Sequence, residues 1–100
     1  METVSEVTQD VILRIENGLH LAPISRIVGA LAEFKSALRV EFDNRSADAR
    51  SATDLMLLAA TCGAPLRVVA VGADAEAALQ TVVAVLENPE PVREPPARPR

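Results

Sequence analysis

The chain has 100 residues, a net charge of −4 and 49% apolar residues, with one histidine, one cysteine and two aromatics, Phe34 and Phe42. That length supports one domain at most, with a thin core of small and β-branched side chains. The acidic balance, with no Lys/Arg cluster in the globular part, argues against nucleic-acid or anionic-membrane partners. Cys62 and His20 are too few for an internal disulfide or a soft-metal site, so no metal and no cofactor is expected.

Residues 1–7 read as a loose start, followed by a strand over 8–15 in which Val11, Leu13 and Ile15 alternate. The loop Asn17-Gly18-Leu19-His20 comes next. From Leu21 the apolar positions Leu21, Ile24, Ile27, Val28, Leu31 and Phe34 fall at helical spacing, predicting a helix that fades near Ser36. Residues 38–43 alternate as a strand with one dry face, Asn44-Arg45 supplies turn chemistry, and 46–50 return as a short partner strand packing Ala47 and Ala49. Ser51-Ala52-Thr53-Asp54 is a capping pattern that opens a second helix carrying Leu55, Met56, Leu58 and Ala59, with Gly63 placed to end it and Cys62 read as a packing residue. Residues 66–71 form a dense strand, Asp74 is placed to cap, and a last helix buries Ala78, Leu79, Val82, Val83 and Leu86. The stretch 89–100 is rich in proline and arginine, with almost nothing to bury, and reads as a disordered tail behind a domain over 8–88. The order strand, helix, two strands, short helix, strand, helix predicts an α+β fold, a four-stranded mainly antiparallel sheet with helices on one face. There is no long apolar span and no secretory leader, which predicts a cytoplasmic protein without membrane insertion; a monomer is expected.

His20 lies where the first strand gives way to the first helix. Gly18 permits an unusual turn before it, and Pro23, lacking an N–H, suits the first helical turn. A helix N-terminus holds unpaired amides and a partial positive charge, which suits a phosphate, and imidazole is a good nucleophile near neutral pH. On the residues alone two readings stand. His20 is a capping or partly buried imidazole, or it takes up a phosphoryl group steadied by the next amides, those of Leu21 and Ala22.

With these elements in place, the chain resembles the HPr family, the histidine phosphocarriers of the bacterial sugar phosphotransferase system. The resemblance spans roughly residues 8–88. It rests on Asn17-Gly18-Leu19-His20 with Pro23, the Arg50-Ser51 pair opening the short helix, Leu55-Met56 with Leu58, and Gly63 before the last strand. It implies an open-faced sandwich of four antiparallel strands and three helices. It also implies that His20 accepts phosphate on its δ nitrogen from Enzyme I and passes it to a sugar-specific or regulatory acceptor. Such a protein is a phosphoryl carrier rather than an enzyme in the strict sense.

The family arginine two residues after the histidine is replaced here by Ala22, removing a charge-assisted contact worth about 1.5–3 kcal/mol. Arg26, one turn further along the same face, either substitutes for it or is a solvated surface arginine. Ser51 matches a serine that a dedicated kinase phosphorylates in many relatives. It is a regulatory site with Arg50 beside it, or a plain helix cap. The partner-docking patch implied by the family starts at Ala52, small here, and includes Met56. The alternative function is a regulatory binding module on the same fold, with phosphotransfer weakened by Ala22.

Overall fold

The computed structural model describes residues 5–87. The tail expected over 89–100 lies outside the described residues, as do residues 1–4. The elements are β1 (Ser5–Ile12), α1 (Leu21–Leu31), β2 (Ala37–Phe42), β3 (Arg45–Asp48), α2 (Ala52–Leu58), β4 (Pro65–Gly72) and α3 (Ala75–Glu87). The strands form one sheet in the order β1-β4-β2-β3, with every pairing antiparallel. The α+β open-faced sandwich expected from the sequence is therefore the architecture observed.

Strand alternation decides which face is dry. In register, Val11 opposes Leu66, Leu38 opposes Ala70, and Val40 stands between Val68 and Ala47. All of these side chains are buried on the helix side. The helix α3 packs on β1, β4 and β2, α2 packs against β3, and α1 lies against both other helices. Ile24, Ile27 and Leu31 of α1 meet Ala78, Leu79, Val82, Val83 and Leu86 of α3 in this one core. The opposite face is open, with Thr8, Asp10, Arg39 and Arg67 exposed. There the ion pairs Arg67–Asp10 (2.9 Å) and Arg39–Glu41 (2.8 Å) bridge side chains in water, where such pairs contribute little. Among the described residues no helix is long and apolar enough to cross a membrane.

Several boundaries differ from the sequence-based expectation. The first strand begins at Ser5, inside the stretch read as a loose start, and its ladder ends at Ile12. Leu13 and Ile15 remain fully buried, because the extended chain keeps its alternation beyond the sheet. Leu13 trades backbone bonds with Ala64 (2.9 Å) and Gly63 (2.7 Å) instead. The helix α1 ends at Leu31 rather than near Ser36. The hairpin turns at Asp43 and Asn44, both at positive φ (54° and 68°), one residue earlier than expected. This is the left-handed pair that a two-residue turn between twisted strands demands. Cys62 is exposed in a turn and not part of the packing.

Two side chains hold the segment between α1 and β2 from a distance. The Arg50 guanidinium donates to the carbonyls of Leu31 (2.8 Å), Phe34 (2.6 Å) and Ser36 (2.9 Å). These carbonyls lie at and just beyond the C-terminus of α1, near the negative end of its dipole, where a planar cationic fork is suited. Asp74 stands at the cap position expected of it, its carbonyl accepting from the Ala78 N–H at 3.0 Å, while its carboxylate accepts from the amides of Lys35 (2.9 Å) and Ser36 (2.9 Å) and from the Ser36 hydroxyl. The Ser36 hydroxyl, and then the Lys35 amide, hold that carboxyl below its ordinary range.

Candidate functional site

The loop from β1 to α1 is shaped by one close backbone approach. Gly18 sits at φ 75°, and a Cβ there would lie 2.7 Å from the carbonyl oxygen of Ala60, just past α2. The Leu19 N–H donates to that same oxygen at 3.0 Å, and the Leu19 side chain is buried beneath it. These contacts deliver His20 to the N-cap position of α1, with φ −106° and ψ −175°. Its ring makes no capping bond to the helix, which leaves the partly buried imidazole and the phosphoryl acceptor as the two readings of His20.

The N-terminus of α1 has few amides left to offer an anion. The His20 N–H turns back to the Gly18 carbonyl (2.9 Å), and the Ile24 N–H is taken by the His20 carbonyl (3.1 Å). Pro23 has no N–H. Of the first-turn donors that lack intrahelical partners, those of Leu21 and Ala22 remain. Both residues are exposed, at the positive end of the helix, where an anion is favoured. The His20 side chain is half-buried, and its Nε2 atom is enclosed by protein. Arg26 is exposed one turn beyond Ala22, about 6 Å along the helix axis, with side chains leaning toward the N-terminus.

Ser51 is the N-cap of α2, its hydroxyl accepting from the Asp54 N–H at 3.1 Å. Asp54 does not complete a reciprocal capping box. Its carboxylate accepts from the Asp48 N–H (3.2 Å), while the Ser51 N–H goes to the Asp48 carbonyl (2.9 Å). Arg50 precedes Ser51 in sequence but spends its guanidinium on the end of α1. The basic neighbour expected for a phosphate on Ser51 is therefore already engaged.

The helix α2 ends sooner than Gly63. Ala59 takes the left-handed conformation (φ 55°, ψ 38°) as its C-cap, and Gly63, at φ 92°, serves a later turn. On this helix Leu55 and Leu58 are buried, Ala52 is half-buried against the core, and Met56 is 50% exposed. Sequence reasoning missed Leu57 and placed Leu21 on the inward stripe of α1, whereas both are exposed, Leu21 because it stands at the first position of the helix, ahead of the buried Pro23 and Ile24. Leu57 on α2 is 70% exposed and Leu21 beside His20 is 59% exposed. The available signal was that Leu57 falls off the inward stripe of Leu55 and Leu58. With Met56 they give the two helices flanking the His20 loop an apolar surface suited to a protein partner. No group of three or more His, Cys, Asp or Glu that could hold a metal occurs among the described residues.

The sequence model of the family described as "PTS HPr component phosphorylation site" matches residues 7–88. The chain is 38% identical over 90 residues to the phosphoryl donor subunit DhaM of the PEP-dependent dihydroxyacetone kinase of Klebsiella michiganensis, covering 88% of this chain but only 19% of that protein. It is 34% identical over 83 residues to the phosphocarrier protein HPr of Haemophilus influenzae, covering 83% of this chain and 98% of that one. The crystal structure of a phosphocarrier protein HPr from Bacillus anthracis superposes with a TM-score of 0.79 at 28% identity, covering 83% of this chain and 99% of that chain. Sequence, family match and fold agree, and the chain belongs to the HPr family.

Proposed function

We propose that this phosphocarrier accepts its phosphoryl group on Nδ1 of His20, from Enzyme I, and passes it to a sugar-specific or regulatory acceptor protein in the cytoplasm. The observation that supports this most is an imidazole at a helix N-cap followed by two amides that no helical carbonyl can take. Nε2 is enclosed by protein, which supports Nδ1 as the nitrogen that takes up the group. The Nδ1 lone pair attacks phosphorus as the bond to the donor breaks, its electron pair staying on the donor. The Leu21 and Ala22 amides and the helix dipole then steady the phosphoryl oxygens. Onward transfer reverses these roles, so the protein carries the group and is not an enzyme in the strict sense.

Ala22 lowers the stability of the phosphorylated form relative to a chain with arginine there, and Arg26 supplies part of the missing charge from one turn away. The apolar surface of Leu21, Ala52, Met56 and Leu57 is where partners seat. The likeness to DhaM supports reading the acceptor more broadly than sugar transport, with a dihydroxyacetone kinase among the candidates. Ser51 serves first as a helix cap. A serine kinase acting on it would have to displace the Asp54 N–H from the hydroxyl. Incubation with phosphoenolpyruvate and Enzyme I should introduce an acid-labile phosphate that His20→Ala abolishes without loss of fold. Equal labelling of both proteins would overturn the assignment.

A further inference from the structure

We infer that Ala59, the C-cap of α2, is a positioning residue for His20, acting through the Ala60 carbonyl and the Leu19 amide; this rests on His20 being the phosphoacceptor. Ala59 is held in the left-handed region although it carries a Cβ, a conformation that favours glycine. That turn places the buried Ala60 so that its carbonyl receives the Leu19 N–H at 3.0 Å, one residue before His20. Gly18 packs against the same carbonyl so closely that a Cβ would stand 2.7 Å from it. The His20 N–H then closes on the Gly18 carbonyl at 2.9 Å. A continuous series of contacts thus runs from the cap of α2 to the peptide that orients the imidazole and the amides of Leu21 and Ala22.

The consequence concerns partner engagement. Met56 and Leu57 lie on α2 just before Ala59, and the Ala59 N–H bonds to the Met56 carbonyl at 3.2 Å. The surface that meets a partner and the loop that presents the histidine are therefore held by one piece of backbone. A change at Ala59 alters phosphoryl chemistry at His20 without touching the ring.

The test uses the full chain, 15N-labelled, with phosphoramidate as a small phosphoryl donor that needs no docking surface. Ala59→Val places a β-branched side chain where left-handed backbone is strongly disfavoured, whereas Ala59→Gly keeps that backbone without strain. For Ala59→Val we expect hydrogen-exchange protection of the Leu19 amide to fall by about tenfold or more. The lifetime of the phosphohistidine should shorten by about threefold or more. Ala59→Gly should match the wild type in both readings. If Ala59→Val does not fold, Gly18→Ala displaces the same carbonyl from the other side and carries the same expectation. Loss of Leu19 protection with an unchanged labelling rate and lifetime would overturn the inference, as would unchanged Leu19 protection in Ala59→Val or, where that variant does not fold, in Gly18→Ala. A wild type that takes up no phosphate on His20 would instead overturn the phosphoacceptor reading, and the inference with it.

Discussion

Arg50 offers the sharpest quantitative test of how the fold is held. Its guanidinium bonds three main-chain carbonyls, those of Leu31, Phe34 and Ser36, between 2.6 and 2.9 Å. Arg50→Met keeps much of the aliphatic stem and removes all three donors. Bonds to charged groups contribute about 1.5–3 kcal/mol each when well shielded, but this side chain is exposed and water replaces part of each. Taking about 0.5–1 kcal/mol per bond gives a loss of about 1.5–3 kcal/mol, including the favourable cation at a helix C-terminus. For a domain of this size that lowers the melting temperature by roughly 6–24 °C. Arg50→Lys should recover only part of the loss, since an ammonium group has no planar fork to span three carbonyls. Urea denaturation at constant m-value measures the change. Phosphate uptake by His20 in the folded protein should stay within about twofold, because α1 separates the two sites by about 16 Å. A stability change below about 0.5 kcal/mol for Arg50→Met would refute the clamp.

Ser51→Ala should cost about 1 kcal/mol, and Ser51→Asp should restore most of it by capping equally well. Unchanged stability with phosphotransfer slowed about tenfold in Ser51→Asp (about 1.4 kcal/mol in barrier) would show a switch instead. Arg26→Ala should slow transfer and shorten the phosphohistidine lifetime. Ala22→Arg should do the reverse and make the Arg26 change matter less; strict additivity would rule out their serving one anion. Because the Asp74 carboxyl titrates below its ordinary range in the fold, its stabilisation is present above the unfolded value of about 3.9. It is lost as pH falls through the folded value. Asp74→Asn should therefore flatten the acid limb of the stability curve, and an unaltered limb would contradict the assigned bonds.

The parts of this protein written in local rules were legible from its sequence. Gly18 and Pro23 bracket a helix start at His20 whatever the rest of the chain does, and the alternation of Leu38, Val40 and Phe42 marks a strand. Ser51 and Asp54 announce the second helix for the same local reason. What could not be read depends on tertiary context. Ala59 in a left-handed cap runs against its own propensity, because the chain must deliver the Ala60 carbonyl to the His20 loop, and so Gly63 looked like the better stop. Arg50 and Asp74 have ordinary local uses, a phosphate neighbour and a cap, yet their partners lie up to 19 and 39 residues away. The alternation through Leu13 and Ile15 reports burial, while strand assignment also needs a partner strand, and the sheet ends at Ile12.

Phosphoryl uptake on His20 is read most directly by 31P–15N correlation NMR on the 15N-labelled protein after reaction with phosphoenolpyruvate and Enzyme I. One phosphorus should couple to Nδ1 of His20, with the Leu21 and Ala22 amide signals displaced as they turn to the phosphoryl oxygens. Phosphorus bonded to Nε2, or a phosphohistidine that leaves those two amides unmoved, would contradict the assignment.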